Sequence, residues 1–153
     1  MATVDNIVIR RAKATDLNSL TALLRLLFSI EENFIYEETV QRRGLLLMLE
    51  NKNGVVLVAE SFSKVIGMCT AQLVISTAEG GPAILVEDVV VLPGWRAKGV
   101  GGQLLNSIEH WAKKKNASRL QLLADCNNRP ALSFYSKQQY QPTKLICLRK
   151  KQL

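Results

Sequence analysis

The chain has 153 residues, of which 48% are hydrophobic and 22% are charged; these values predict one domain, residues 1–153, and exclude a disordered, collagen-like or coiled-coil protein. No apolar stretch approaches the roughly 18 residues of a membrane-spanning helix, and the first residues lack the features of a signal peptide, so we expect a cytoplasmic protein with no membrane partner. The net charge of +7 lies in the second half, because residues 1–76 carry eight basic and eight acidic side chains and residues 77–153 carry twelve and five.

Hydrophobic periodicity predicts alternating strands and helices along the chain. In chain order the predicted elements are a strand at 7–11, a helix capped by Thr15 or Asp16, an acidic break at 31–38, a helix at 39–50, strands at 55–60, 65–76 and 83–92, a glycine cluster at 94–102, a helix from Val100, a strand at 120–124, a short helix at 130–137 and a strand at 145–149. The first helix has leucines at spacings of three and four. The order of elements predicts an α/β protein of the α+β type, with one mixed central sheet of six to seven strands and helices on both faces.

The three cysteines, Cys69, Cys126 and Cys147, predict neither a disulfide framework nor a metal site, because no two are separated by two residues and their number is odd. Cys69 and Cys147 lie in apolar runs and are expected to be buried. Nucleic-acid binding would need aromatic side chains among the basic ones. The chain is only 6% aromatic and has no such cluster, so we expect no nucleic-acid partner.

The most informative segment runs from a buried strand through the glycine cluster into a helix. Glycines let backbone N–H groups approach an anion, the helix N-terminus adds unsatisfied donors, and Arg96 and Lys98 add positive charge. This combination predicts pyrophosphate binding. A Walker loop is excluded, since Gln103 follows the last glycine. A dinucleotide fingerprint lacks its final glycine, although Asp125 stands where a ribose-binding acid would be, so that interpretation stays open as an alternative.

Two segments resemble signatures of the GNAT family of N-acetyltransferases. The first is Arg96-Ala97-Lys98-Gly99-Val100-Gly101, similar to the family's coenzyme A signature Arg/Gln-x-x-Gly-x-Gly/Ala. The second, Asn128 to Tyr135, resembles Asn-x-x-Ala-x-x-Phe-Tyr. The order of elements also resembles the family over nearly the whole chain. Two departures are Ala97, where glycine is commoner, and Gln139-Tyr140, where the family often has Gly-Phe.

The resemblance implies an acyl-CoA N-acyltransferase fold and acetyl-CoA as the acetyl donor, without a metal. It implies that the pantetheine arm pairs with the backbone of the strand before the glycine cluster, that the pyrophosphate lies on the loop and helix start, and that an asparagine contacts the cofactor. The cofactor-binding residues implied in this way are Val89, Val90, Val91, Arg96, Ala97, Lys98, Gly99, Val100, Gly101, Gly102 and Asn128. The resemblance also implies a homodimer.

Three residues are candidates for moving protons. Tyr135 resembles the family's general acid, with a packed core tyrosine as the alternative. Glu87 and Asp88 are acids in an otherwise apolar strand, where alternation puts them on opposite faces. Because an ammonium group must lose a proton before it attacks, Glu87 is the first candidate for a general base and Asp88 the second. The alternative for both is an ion pair with a nearby Arg or Lys.

The acidic break is the candidate acceptor site. The resemblance implies that the segment between the first two helices helps to bind the acceptor, and here it holds Glu31, Glu32, Phe34 and Tyr36. Carboxylates would attract a cationic amine, and the aromatic rings could contact it by cation–π interactions; an ordinary acidic loop is the alternative. The sequence therefore predicts an N-acetyltransferase that acts on a small-molecule or peptide amine in a ternary complex. A non-catalytic acyl-CoA-binding sensor on the same fold is the alternative function.

Overall fold

The computed structural model describes residues 6–153, and these build one five-stranded sheet. Its strands are β1 (Ile7–Arg11), β2 (Gly54–Ser61), β3 (Lys64–Ser76), β4 (Gly81–Val91) and β5 (Leu120–Leu122). The first four form antiparallel neighbours in chain order, and β5 joins β4 in parallel. The sheet is therefore mixed, as predicted.

Helices cover both faces of the sheet, which confirms the predicted layers. They are α1 (Leu17–Ile30), α2 (Glu38–Glu50), α3 (Val100–Lys114) and α4 (Arg129–Lys137). None of the helices between residues 6 and 153 combines the length and the apolar character needed to cross a membrane.

Each face of the sheet has its own core. The core between α3 and the sheet, which we call the core under α3, includes Leu57, Ile84 and Leu104. The core between the sheet and the pair α1 and α2, the core under α1 and α2, includes Leu24 and Val58. Neighbouring residues of β2 face opposite cores because side chains alternate along a strand. Burial on both sides explains why β2 is almost continuously apolar.

The predicted last strand is wrong: within the described residues the sheet has five strands, and residues 145–149 lie outside it. All residues from 141 to 153 are exposed, including Leu145 and Leu148 at 86% each. Cys147 is exposed as well, against the expectation of burial. A run of apolar residues predicts a strand, but a strand forms only by pairing. Within the described residues this segment pairs with none of the five strands.

Candidate functional site

The sheet opens between β4 and β5. Pairing between these strands ends at Val86 and Leu122, whereas β4 continues to Val91. Within residues 6–153, the edge of β4 from Glu87 to Val91 therefore has no strand beside it on the β5 side. We call this edge the β4 opening. It contains Val89, Val90 and Val91, whose backbone groups were predicted to meet a cofactor; the Val91 carbonyl accepts a hydrogen bond from Arg96 Nε at 3.3 Å.

A β-bulge interrupts β4 at the start of this opening. Met68 pairs with Val90 and Thr70 pairs with Glu87, so one residue of β3 faces both Asp88 and Val89. Asp88 has a φ of +51°, a left-handed conformation that is uncommon for residues other than glycine. Such a bulge locally disrupts the hydrogen-bond ladder and re-aims a side chain.

The bulge changes where the two acids of β4 lie. Glu87 alternates with Val86, which is in the core under α3, so Glu87 lies on the face of α1 and α2. Asp88 accepts a hydrogen bond at Oδ2 from Oγ1 of Thr70, at 3.0 Å. Thr70 is two residues from Met68, which belongs to the core under α1 and α2, and residues two apart in a strand share a face. Thr70 therefore lies on that face as well. The predicted opposite orientation of the two acids is therefore wrong, because a bulge breaks the alternation on which it rested.

The environment of Asp88 disfavours its charged form. The pKa of Asp88 is raised to about 6: burial is the largest cause, the hydrogen bond from Thr70 acts in the opposite direction, and the nearby charges of Glu87 and Glu31 add to the effect of burial. A carboxyl group with this pKa can gain and lose a proton near neutral pH, as a general base must.

Asp88 belongs to a group of acidic residues. It consists of Glu31 at the end of α1, Glu87 and Asp88 on β4, and Asp125 after β5. Burial first, and then the charges of Asp125 and Glu87, raise the pKa of Glu31. Glu31 thus lies near Asp125 and Glu87, and Asp88 lies near Glu87 and Glu31, so this side of the site attracts cations.

Tyr135 lies on α4 and belongs to the same neighbourhood. Burial, followed by the charge of Glu31, raises the pKa of Tyr135 to about 12. Its ring centroid lies 5.2 Å from that of Phe134 and 5.9 Å from that of Tyr140. The phenol therefore keeps its proton near neutral pH and is held by aromatic neighbours.

The loop before α3 adopts left-handed backbone at two positions, Ala97 (φ +59°) and Gly99 (φ +82°). Gly99 is the N-cap of α3, where no side chain caps the backbone and the first turn holds no acidic residue. The first N–H groups of a helix lack intrahelical partners and carry partial positive charge. Lys98 lies 4.9 Å from the centre of the Trp95 ring. An anion is the ligand that this arrangement suits.

Three predicted cofactor residues have structural tasks that sequence reasoning missed. A Cβ atom on Gly101 would lie 2.9 Å from Cζ of Phe134, and one on Gly102 would lie 3.3 Å from Nε2 of Gln138. Both glycines thus allow α3 to approach α4. Asn128 is the N-cap of α4, and its Oδ1 accepts a hydrogen bond from the backbone N–H of Ala131 at 3.2 Å.

The aromatic residues of the predicted acceptor segment contact cations of this chain. Phe34 stacks on Phe28 at 5.3 Å, and the guanidinium of Arg149 lies 4.9 Å from the centre of its ring. Tyr36 is half-buried, with the guanidinium of Arg25 at 5.9 Å. Glu32 is exposed. Of the predicted acceptor residues, Glu31 is the one that the structure brings to Asp88.

Among the residues that the structure describes, no three His, Cys, Asp or Glu side chains are arranged to hold a metal ion.

Residues 18–140 match the acetyltransferase (GNAT) family. The uncharacterized N-acetyltransferase YhfO of Bacillus subtilis strain 168 is 31% identical to this chain over 137 residues, which cover 87% of this chain and 89% of YhfO.

Solved structures share the fold. A possible acetyltransferase from Clostridium difficile 630 is 21% identical, with a TM-score of 0.84 over 96% of this chain and 98% of that one. The aminoglycoside N-acetyltransferase AAC(6')-Iy, in complex with CoA, is 17% identical, with a TM-score of 0.84 over 100% of this chain and 99% of that one.

Proposed function

Because the chain belongs to the acetyltransferase (GNAT) family, as its two signatures predict, we propose that it is an N-acetyltransferase that transfers an acetyl group from acetyl-CoA to a primary amine by direct attack in a ternary complex. The observation that carries the proposal is the β4 opening, with a bulge and the carboxylate of Asp88 at one end and the uncapped start of α3 at the other.

The described residues fit acetyl-CoA. Val89, Val90 and Val91 would hold the pantetheine arm through backbone groups of the β4 opening, since an extended chain can add to an unpaired strand edge. The loop from Arg96 to Gly99 and the N-terminus of α3 would bind the pyrophosphate. The bound thioester supplies an activated acetyl group, and a backbone N–H at the bulge would orient its carbonyl.

Two side chains handle the protons in this proposal. The carboxylate of Asp88 accepts a proton from the ammonium form of the substrate, because its pKa of about 6 leaves it ionised and basic near neutral pH. The phenol O–H of Tyr135 donates to the departing sulfur. Glu87, the first candidate from the sequence, is exposed on the same face, and comparing Glu87→Gln with Asp88→Asn decides between the two acids.

The acidic group supports an acceptor that carries more than one positive charge. Glu31 and Glu87 lie near Asp88, Asp125 lies near Glu31, and together these acids attract cations. Glu32, Phe34 and Tyr36, in the segment that follows Glu31, are the further acceptor residues in this proposal. We therefore propose a small polycation or a basic peptide as the substrate. The shared fold of the aminoglycoside N-acetyltransferase AAC(6')-Iy supports the choice, because aminoglycosides are small polycations.

The C-terminal tail supports a homodimer. Leu145, Ile146 and Leu148 are at least 80% exposed, and β5 has no strand on its outer side within the described residues. An apolar extended segment and an unpaired edge complement each other between two copies. Size-exclusion chromatography with light scattering should give a dimer for the full chain and a monomer after removal of residues 144–153.

Thermal unfolding with acetyl-CoA, free CoA or NAD tests the cofactor. A ligand at 100 times its dissociation constant stabilises by about 2.7 kcal/mol, which is about 5–10 °C for a chain of this length. Acetyl-CoA should produce this shift in the wild type and in Lys113→Glu, the control variant at an exposed lysine. The shift should be absent in Lys98→Glu. No shift with acetyl-CoA would reject the proposal, and a shift with NAD instead would favour the dinucleotide interpretation.

Turnover tests the catalytic part. The acetylated product should be measured by mass spectrometry, because the exposed thiols of Cys126 and Cys147 would react with reagents that detect released CoA. Polyamines, basic peptides and aminoglycosides form the substrate panel. Binding of acetyl-CoA without turnover of any of these amines would favour the alternative of an acyl-CoA sensor.

A further inference from the structure

The C-terminal tail, residues 144–153, is a basic segment that contacts the proposed acceptor segment. It carries four basic side chains and no acidic one, and all of its residues are exposed. The guanidinium of Arg149 lies 4.9 Å from the centre of the Phe34 ring, which is within the range of a cation–π interaction. A cation of the chain itself thus holds the tail against the acceptor segment.

This contact lies beside the acidic group. Phe34 stacks on Phe28, with 5.3 Å between the ring centroids. Phe28 is on the last turn of α1, three residues before Glu31, and residues three apart lie on the same side of a helix. Glu31 in turn lies near Asp88, whose pKa its charge raises. The tail therefore approaches the acidic group at the end of α1.

Two primary amines follow Arg149 directly along the chain. Lys150 and Lys151 are exposed, and neither forms an ion pair with any residue between 6 and 153. Each ends in an ammonium group on a flexible four-carbon stem. Because the Arg149 contact tethers them, their encounter with the site is intramolecular and their local concentration there is high. The tail thus has the chemistry that the proposed substrate class requires, a basic peptide.

We propose that the chain transfers acetyl groups from acetyl-CoA to Lys150 and Lys151 of its own tail. This inference rests on the proposed function and names one acceptor for the same site. The amine nitrogen attacks the thioester carbonyl, so that a C–N bond forms and the C–S bond breaks. The nitrogen gives one proton to the carboxylate of Asp88 and a second, by way of Tyr135, to the departing sulfur. The products are an acetylated lysine and free CoA.

Mass spectrometry of the full chain tests the proposal. Purified protein with acetyl-CoA and no added amine should gain acetyl groups, and fragmentation of the C-terminal peptide should locate them on Lys150 and Lys151. Because the transfer occurs within one chain, its rate constant should not depend on the protein concentration. The double variant Lys150→Arg with Lys151→Arg keeps the positive charges of the tail and should lose the gain in mass.

Charge reversal within the tail gives the matched comparison. Arg149→Glu should slow self-acetylation about fivefold or more, because it removes the cation–π contact with Phe34 and adds repulsion from the acidic group. Lys144→Glu makes the same change of charge at an exposed position outside that contact. Exposed charges are screened over about 8 Å at physiological salt, so this control should stay within about twofold of the wild-type rate.

The outcomes separate this inference from the proposed function. Acetylation of an amine of the substrate panel without any gain on the tail would overturn the inference alone, whereas no acetylation of either would reject both. The inference is also overturned if an exposed lysine elsewhere, such as Lys52, reacts as fast as Lys150 and Lys151, or if the rate constant rises with protein concentration. Equal slowing by the two charge reversals, shown by circular dichroism to be folded, would overturn it as well.

Discussion

Replacing Asp88 with asparagine is expected to stabilise the protein at neutral pH and to slow acetyl transfer. The two side chains have nearly the same shape, and the amide oxygen of asparagine can still accept the hydrogen bond from Thr70. The variant therefore removes the charge and little else. That charge is unfavourable in the folded chain, because burial and the neighbouring carboxylates raise the pKa of Asp88 to about 6.

The size of the effect follows from the difference between this pKa and the ordinary value of 3.8. The difference is about 2 units, and each unit corresponds to 1.36 kcal/mol, so ionised Asp88 destabilises the fold by about 3 kcal/mol above pH 6. Between pH 4 and pH 6 the folded chain holds more protons than the unfolded chain, so this contribution makes stability fall as the pH rises. Below pH 4 both states are protonated and the variant gains nothing.

Thermal unfolding of wild type and Asp88→Asn from pH 4 to pH 8 measures this difference. The variant should unfold about 6–12 °C higher at pH 7.5 and at nearly the wild-type temperature at pH 4. Glu32→Gln, which removes an exposed carboxylate of the acidic break, should change little at either pH. An equal gain at both pH values, or none at pH 7.5, would show that the charge of Asp88 is not the cause.

Activity provides the second measurement on the same variant. Loss of a general base lowers the rate by about 10²–10⁴-fold, and the wild-type rate should fall below about pH 6, as Asp88 becomes protonated. If Asp88→Asn turns over normally while Glu87→Gln does not, the exposed neighbour is the base.

Three further substitutions test the geometry of the site. Thr70→Val removes the hydrogen bond that lowers the pKa of Asp88, so the acidic limb of the pH–rate profile should move to higher pH; an unmoved limb would contradict the contact. Gly101→Ala places a Cβ atom 2.9 Å from Phe134, so calorimetry should show that the free energy of unfolding falls by about 1–3 kcal/mol. Adding Phe134→Leu should recover part of this loss. An unchanged melting temperature would mean that the two helices can move apart without cost. Ala97→Gly removes the strain of a left-handed alanine, about 1–2 kcal/mol, while glycine adds entropy to the unfolded chain. Denaturant unfolding should therefore give a free energy of unfolding equal to or above that of the wild type. A clear decrease would contradict the positive φ.

The order of the elements up to α4 could be predicted from the sequence, because each element has a local cause. Leucines at spacings of three and four predict α1, and apolar runs between turns predict β2 and β3. The segment 145–149 has an equally apolar local pattern, yet it is exposed. Pairing between distant segments is not encoded in a local pattern, so the number of strands could not be predicted in the same way.

In the candidate site, too, features with a local sequence pattern could be predicted and features that depend on packing between distant segments could not. The loop that begins at Arg96 could be recognised from its motif, and the left-handed Gly99 fits the reason for a glycine there. The bulge at Asp88 could not, because it depends on the register between β3 and β4. Thr70 carried no signal of function, since a threonine in a strand is ordinary. The packing of Gly101 against Phe134 could not be predicted either, because it forms only when α3 and α4 pack together.

In the proposed function, the bulge would connect the stability of the fold with the choice of substrate. It puts Asp88 on the side where Glu31 and Glu87 already lie, and their charges raise its pKa. A bound polycation would offset these charges and lower the pKa of Asp88, whereas a simple monoamine would do so less. The pH dependence of kcat reports the pKa in the substrate complex and that of kcat/KM the pKa in the free enzyme. A polycationic substrate should therefore move the acidic limb of kcat below that of kcat/KM, because it removes the repulsion that the bulge creates.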